Sequence, residues 1–349
     1  MNKHKLLILD GISGVPLAKE IHEAFCEAGI DAIYADLKKF TQKYFYGLRS
    51  TYRKVLNKRE NSDSFFHLPK LNEQDFEAYI QKELPTTILV IGFIYKYLDP
   101  QFVERIKRQY GLKLYLYDTD SCNLYSKRRE FIFFLDTELP VYERIFSFSK
   151  VTTQFFSETK QLKATFFPFG AKKLDITPNP QPFNEVLFVG SCDLRRIFLL
   201  EHIKENVTIY GDRWQRNFPL ISQQLKQRVT DQSLWGEKLY QTLTNSKIVL
   251  NITRSHFYGA ETGVNLRIFE ALSAGCFLLT DYCEELAELF VVGEEIEVFR
   301  NATELAEKVS FYLAHPEERN KIARQGHARF LKDYTWRARI EKLRQYLSL

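Results

Sequence analysis

Residues 263–275 read Gly-Val-Asn-Leu-Arg-Ile-Phe-Glu-Ala-Leu-Ser-Ala-Gly. A glycine that lets the backbone approach a ligand is followed at once by a helix. The free N–H groups and positive dipole end of that helix suit an anion such as a diphosphate. At 100° per residue Leu266, Ile268, Phe269 and Leu272 share an apolar face, and Glu270 falls at its edge beside Leu266 and Arg267. A carboxylate there needs a partner. A ribose diol offers it two donors while Arg267 or Arg254 meets phosphates, and an intramolecular Arg267–Glu270 pair would serve equally well.

Asp118-Thr119-Asp120 has the D-x-D spacing that can chelate a metal. It also sits at the end of an apolar strand-like run, where either carboxylate can orient a hydroxyl or take its proton. An Asx turn or a helix N-cap is the plain alternative. Asp10 is a weaker rival for the same task, and His256 lies in the loop before Gly263. No histidines and carboxylates share metal-ligand spacing, so no metal is expected. The five cysteines form no C-x-x-C pair and read as reduced core thiols.

These residues have to be held by something. At 349 residues the chain is longer than one core usually serves, and 45% hydrophobic with 27% charged residues describes a folded protein of two domains. The net charge of +5 is modest and its Lys and Arg are interleaved with acids, so nucleic acid is not an expected partner. The apolar run near the N-terminus is too short for a signal-peptide core, and no stretch reaches a membrane span, which gives the expectation of a cytoplasmic protein. An apolar strand at 6–9, the Gly11-Ile12-Ser13-Gly14 turn and an amphipathic helix over 16–28 open a doubly wound sheet. Further strands are expected at 32–34, 88–91 and 112–117, the last two flanking a helix at 100–110. Residues 38–59, rich in Lys, Arg, Tyr and Phe, read either as a solvated helix face or as a basic helix meeting a lipid-linked acceptor or an anionic lipid surface at the inner membrane face.

Pro178, Pro180 and Pro182 mark 171–184 as a linker between a first domain, 1–170, and a second, 185–334. The pattern then restarts with strands at 186–189, 207–210, 248–252 and 277–280 and helices at 194–204 and 265–274. A last helix over 335–349 is expected to cross back. The turns at Gly190-Ser191 and Tyr210-Gly211 follow strands, on the side where open α/β sheets bind ligands, and Arg195 or Arg196 just beyond could add a phosphate contact.

Residues 186–340 resemble the C-terminal domain of the GT-B glycosyltransferases, in particular the subgroup similar to the spore maturation protein CgeB. The resemblance is carried by FVGS at 188–191, IYG at 209–211, SKIVLNITR at 246–254, GVNLRIFEALSAGCFLLTD at 263–281, LAEKVSFYLAHPEER at 305–319 and DYTWRAR at 333–339. The first half matches more faintly, through the Gly11 turn, the strand ending in Asp118 and Asp120, and FPFGAK at 167–172. It implies an α/β protein of GT-B architecture: two Rossmann-like domains facing a central cleft, the acceptor on the N-terminal side and a nucleotide-sugar donor on the C-terminal side. The donor would be held by Gly190, Ser191, Tyr210, Gly211, Arg254, Gly263, Val264, Asn265, Arg267 and Glu270, with Glu270 on the ribose. The acceptor would be a glycan, a lipid-linked molecule or a protein, and the leaving diphosphate would be stabilised without a metal or other cofactor.

Large retaining GT-B families carry a second glutamate at the position that Thr262 occupies here, and Glu261 stands one residue early. Glu261 joins Asp118 and Asp120 as a catalytic candidate, and the resemblance leans toward a retaining hexosyltransferase. Fold alone does not fix function. A nucleotide-sugar epimerase of the same fold, or a non-catalytic sugar- or nucleotide-binding protein of an envelope or spore coat, remain alternatives.

Overall fold

Leu-Leu-Ile-Leu at 6–9 and Val-Leu-Phe-Val at 186–189 are apolar at nearly every position, the pattern of strands covered on both faces. Both lie inside parallel sheets in the computed structural model, which describes residues 4–12, 14–59, 64–175, 179 and 181–347. Ser13, Pro178 and Pro180 fall outside the described residues.

The chain forms two compact units, Met1–Pro168 with Ile340–Leu349, and Phe169–Arg339. In the first, β1 (Leu6–Asp10), β2 (Ala32–Asp36), β3 (Thr87–Ile91), β4 (Lys113–Asp118), β5 (Arg144–Ser147) and β6 (Ala164–Phe166) lie in the order β2-β1-β3-β4-β5-β6. Every pair is parallel. The helices that return the chain across the sheet bury one stripe each. In Leu17–Glu27 this stripe is Leu17, Ala18, Ile21, Ala24 and Phe25, at helical spacing. Pro100–Tyr110 starts where the Asp99 side chain accepts from Gln101 N and stops at Gly111, whose φ is 62°.

The second unit repeats the plan. Its strands β7 (Asn184–Val189), β8 (Val207–Tyr210), β9 (Val229–Thr230), β10 (Ser246–Asn251), β11 (Leu278–Asp281) and β12 (Glu297–Phe299) run in the order β12-β11-β10-β7-β8-β9, all parallel. From β7 the chain winds first toward β8 and β9, then turns back to β10, so the order reverses between β7 and β10. Ligands of open parallel sheets bind beyond the C-terminal ends of the strands at such a reversal.

The expected linker begins inside the second unit, since Ala171 bridges in parallel to Thr335 and its N–H donates to Tyr334 O at 3.1 Å. The last helix, Trp336–Leu347, starts in the second unit and continues into residues assigned to the first. All five cysteines are free thiols; four are buried as expected, but Cys26 is exposed, because it lies on the outward side of Leu17–Glu27. No described helix is long and apolar enough to cross a membrane.

Candidate functional site

The C-terminal ends of the neighbouring strands β11, β10, β7 and β8 bring four loops together in the second unit. The turn after β7 holds Gly190 and Ser191, and the turn after β8 holds Gly211. Gly190 N donates to Tyr210 O at 2.8 Å. A Cβ on Gly211 would stand 1.9 Å from Gly190 O, so only glycine lets the two turns approach this closely. Trp214 Nε1 then donates to Gly190 O at 2.9 Å and closes the turn from behind.

Beyond β10, Arg254 Nη2 donates to Ser191 Oγ at 2.9 Å, tying the β10 and β7 loops at the reversal. The two arginines of the helix Leu194–Glu201 are committed differently from what their positions suggest. Arg196 is buried; its guanidinium donates to Ile252 O and to Ser191 O at 2.7 Å, and burial lowers its pKa to about 10. It braces the loops from inside. Arg195 Nη1 pairs with Asp281 Oδ2 at 2.6 Å, donates to Thr253 O at 2.9 Å, and lies 3.6 Å from the Tyr258 ring centroid. Asp281 was not singled out by sequence, yet it also accepts from Thr253 N and Thr253 Oγ1, which makes it the anchor of the β10 loop. His256 is exposed beside Phe257, and partial desolvation of its ring together with Arg254 lowers its pKa.

The helix predicted at 265–274 is Leu266–Ser273. Asn265 caps it: Oδ1 accepts from Arg267 N at 3.1 Å, and Nδ2 donates to Asn251 Oδ1 at 3.0 Å, fastening the helix start to the end of β10. Val264 is 0% exposed and Gly263 is buried, with Cys283 Sγ 2.8 Å from where a Cβ would stand on that glycine. The accessible part of the helix start is half-buried Asn265, Leu266 and Arg267.

Glu270 is 3% exposed and accepts from Arg267 Nη1 at 2.6 Å. The intramolecular pair is thus present. It does not use the whole guanidinium: Arg267 Nε is buried without a hydrogen-bond partner among the described residues. A buried N–H left unpaired costs about 1–3 kcal/mol, a cost that a ligand oxygen would remove.

Glu261 is exposed with φ 56°, in the left-handed region, and its N–H donates to Tyr258 O at 3.0 Å. Thr262 is buried and donates to Glu285 Oε2 at 3.0 Å. Glu285, 3% exposed, is a carboxylate that sequence reasoning missed. It lies 23 residues on, and only the fold brings it to Thr262.

In the first unit the catalytic candidate Asp118 closes strand β4. It is fully buried and accepts from Asp120 N at 3.2 Å, Ser121 N at 2.9 Å, Ser121 Oγ at 2.5 Å and Ser147 Oγ at 3.1 Å. Burial raises its pKa against the pull of those donors. It organises the turn into the short helix Ser121–Leu124. Asp10 is similarly engaged, accepting from Ile12 N at 3.0 Å and Tyr34 Oη at 2.8 Å. Asp120 is half-buried and accepts from Asn123 Nδ2 at 2.7 Å, leaving it the more reachable of the pair. Among the described residues no cluster of three or more His, Cys, Asp or Glu has metal-binding geometry.

Residues 195–345 match the family model described as "Glycosyl transferase-like". Across the whole chain the fold is similar to sucrose-phosphate synthase from Thermosynechococcus elongatus, at 14% identity, 98% coverage of each chain and a TM-score of 0.66. It is also similar to Anabaena Alr3699/HepE solved in complex with UDP-glucose, at 13% identity, 99% coverage of each chain and 0.66. A third similar structure is an alpha-glucosyltransferase in complex with UDP, at 9% identity, covering 99% of this chain and 100% of that one, again at 0.66. No curated protein sequence matches the chain. At these identities the structures establish the fold. The chain has the architecture of the GT-B glycosyltransferases, and its residues 195–345 are similar to the glycosyl transferase-like family.

Proposed function

We propose that the protein is a glycosyltransferase that moves a hexose from a nucleoside-diphosphate sugar to a hydroxyl acceptor without a metal ion. The observation that carries this reading is the set of groups at the β7–β10 reversal: Ser191 and Arg254 joined at 2.9 Å, and a capped helix start bearing the Arg267–Glu270 pair with an unpaired buried N–H. Diphosphate oxygens would take the N-terminal end of Leu266–Ser273 and Arg254, and the ribose diol would donate to Glu270. Developing charge on the leaving diphosphate is then met by fixed cations and the helix dipole, the work a divalent ion does in other transferases. Two of the structurally similar proteins were solved with UDP or UDP-glucose, which supports a uridine donor.

On this reading Asp120 is the group that orients the acceptor hydroxyl or takes its proton, and retention of configuration, toward which the GT-B resemblance leans, is the expected outcome. Glycan, lipid-linked and protein acceptors all supply the required hydroxyl. Incubation with a panel of UDP- and GDP-sugars, reading release of the free nucleoside diphosphate with and without candidate acceptors, tests the proposal. Acceptor-dependent release supports it. Interconversion of the sugar with no release would mean an epimerase, and binding with neither would mean a non-catalytic protein.

A further inference from the structure

Helix Tyr46–Arg59 and the residues that lead into it hold a surface that sugar transfer does not explain. From 37 to 59 the sequence has eight Lys or Arg and no Asp or Glu. The helix rests on the first unit through one face, where Tyr46, Ser50, Arg53 and Asn57 recur at helical spacing and are half-buried. Asn57 accepts from Phe66 N at 2.8 Å and donates to Phe66 O at 3.2 Å, Arg129 donates to Asn57 O, and the Arg53 guanidinium lies 5.9 Å from the Phe66 ring centroid. The opposite face carries Leu48 at 74%, Tyr52 at 63% and Val55 at 40% exposure, preceded by Phe45 at 76%.

The angular order is what gives this face its meaning. With Leu48 as reference, Tyr52 lies about 40° to one side and Val55 about 20° to the other, while Arg49 at about 100° and Lys58 at about 80° flank the stripe on opposite sides. An apolar ridge pointing away from the protein, edged on both sides by long cationic side chains, is the arrangement of helices that lie in a bilayer interface. The ridge enters the acyl boundary and the cations reach lipid phosphates. Arg49 and Arg53 also line a cavity of about 500 Å³ whose wall includes Lys43, His67 and Arg105, with Glu73 and Asp99 as its acids. His67 Nε2 is buried without a hydrogen-bond partner among the described residues. A nucleic acid would use the cations but has no use for Leu48 and Val55 turned outward.

We infer that helix Tyr46–Arg59 docks the first unit on an anionic lipid bilayer, with Phe45, Leu48, Tyr52 and Val55 inserted at the interface and Arg49, Lys54 and Lys58 on the phosphates. The surface is independent of the donor site, so a failure of sugar transfer leaves this inference untouched. The test is co-sedimentation with vesicles of phosphatidylcholine alone and of phosphatidylcholine with one-third phosphatidylglycerol. Wild type pellets with the anionic vesicles only and is released at about 0.5 M salt, where charge attraction is screened within a few ångströms. Each basic residue near such a surface is worth roughly 5-fold in partitioning, so Arg49→Gln/Lys54→Gln/Lys58→Gln weakens binding on the order of 100-fold. Leu48→Ser/Tyr52→Ser weakens it about 10-fold or more. These side chains are exposed, so both variants keep the wild-type unfolding temperature, which is measured alongside. Equal pelleting with neutral and anionic vesicles, or retention of binding by either variant, overturns the inference. So does tighter binding of the wild type to mixed-sequence RNA than to the vesicles at the same salt, lost in the triple variant.

Discussion

Replacing Glu270 by glutamine keeps the volume of the side chain and removes its charge, which separates two roles that the structure superimposes. Glu270 is 3% exposed and holds Arg267 Nη1 at 2.6 Å. If the carboxylate also receives a ribose diol, the variant loses charge-assisted hydrogen bonds worth roughly 1.5–3 kcal/mol, which corresponds to about 10- to 150-fold in nucleotide Kd. The same change weakens the pair with Arg267 but leaves an amide oxygen to accept, so destabilisation should stay well below the roughly 3–5 kcal/mol of deleting one partner of a buried ion pair. Calorimetry with UDP and GDP, beside urea unfolding of the same preparations, reads both numbers. The reasoning is refuted if the variant binds every nucleotide as tightly as wild type while unfolding more easily, because Glu270 then only fastens the helix start.

Asp120→Asn should spare nucleotide binding and lower kcat by about 100-fold, as for a general base. Asp118→Asn should instead cost about 1–3 kcal/mol of stability, because an amide cannot accept from all four donors around Asp118; equal unfolding midpoints for Asp118→Asn and wild type would contradict that placement. Activity should survive EDTA, and full loss restored by Mg²⁺ would return Asp118 and Asp120 to the metal reading. In the first unit Glu138 is buried, accepting from Ile94 N at 3.0 Å, Tyr95 N at 2.8 Å and Tyr142 Oη at 2.8 Å, and burial still pushes its pKa up from 4.5 to about 7. A carboxyl raised on folding gives stability that is fully present below pH 4.5 and lost as pH climbs through about 7. The stability of wild type relative to Glu138→Gln should therefore fall by on the order of 3 kcal/mol across that window. A pH-independent difference between the two would show the carboxyl to be ionised throughout.

The strands read most plainly in the sequence are those buried on both faces, since continuous apolar runs such as 6–9, 88–91 and 186–189 have no other comfortable home. β5, β6 and β12 escaped because three or four residues, two of the three strands beginning with Arg144 or Glu297, carry too little period to be seen. The Glu297 carboxylate is tolerated in β12 only because Lys308 reaches it at 3.0 Å and Tyr312 donates to it. The helix at 266–273 and its edge glutamate were legible from the 100° geometry. Which partner Glu270 takes was not, since a three-residue spacing to Arg267 permits the pair without requiring it. Asp118 shows the limit from the other side. The D-x-D spacing is local, but Ser147, which helps to occupy its carboxylate, arrives from β5, 29 residues away, through pairing that no local pattern encodes. Asp281 and Glu285 were overlooked for the same reason, each acquiring its role from a loop more than 20 residues distant.

A structure determined with UDP or GDP bound tests the central claim most directly. The account predicts the nucleotide in the second unit, at the C-terminal ends of β7 and β10, with its diphosphate within hydrogen-bond distance of Arg254 and the start of helix Leu266–Ser273, and its ribose hydroxyls on Glu270. A nucleotide lodged in the first unit, or one in the second unit whose ribose hydroxyls do not reach Glu270, would contradict it.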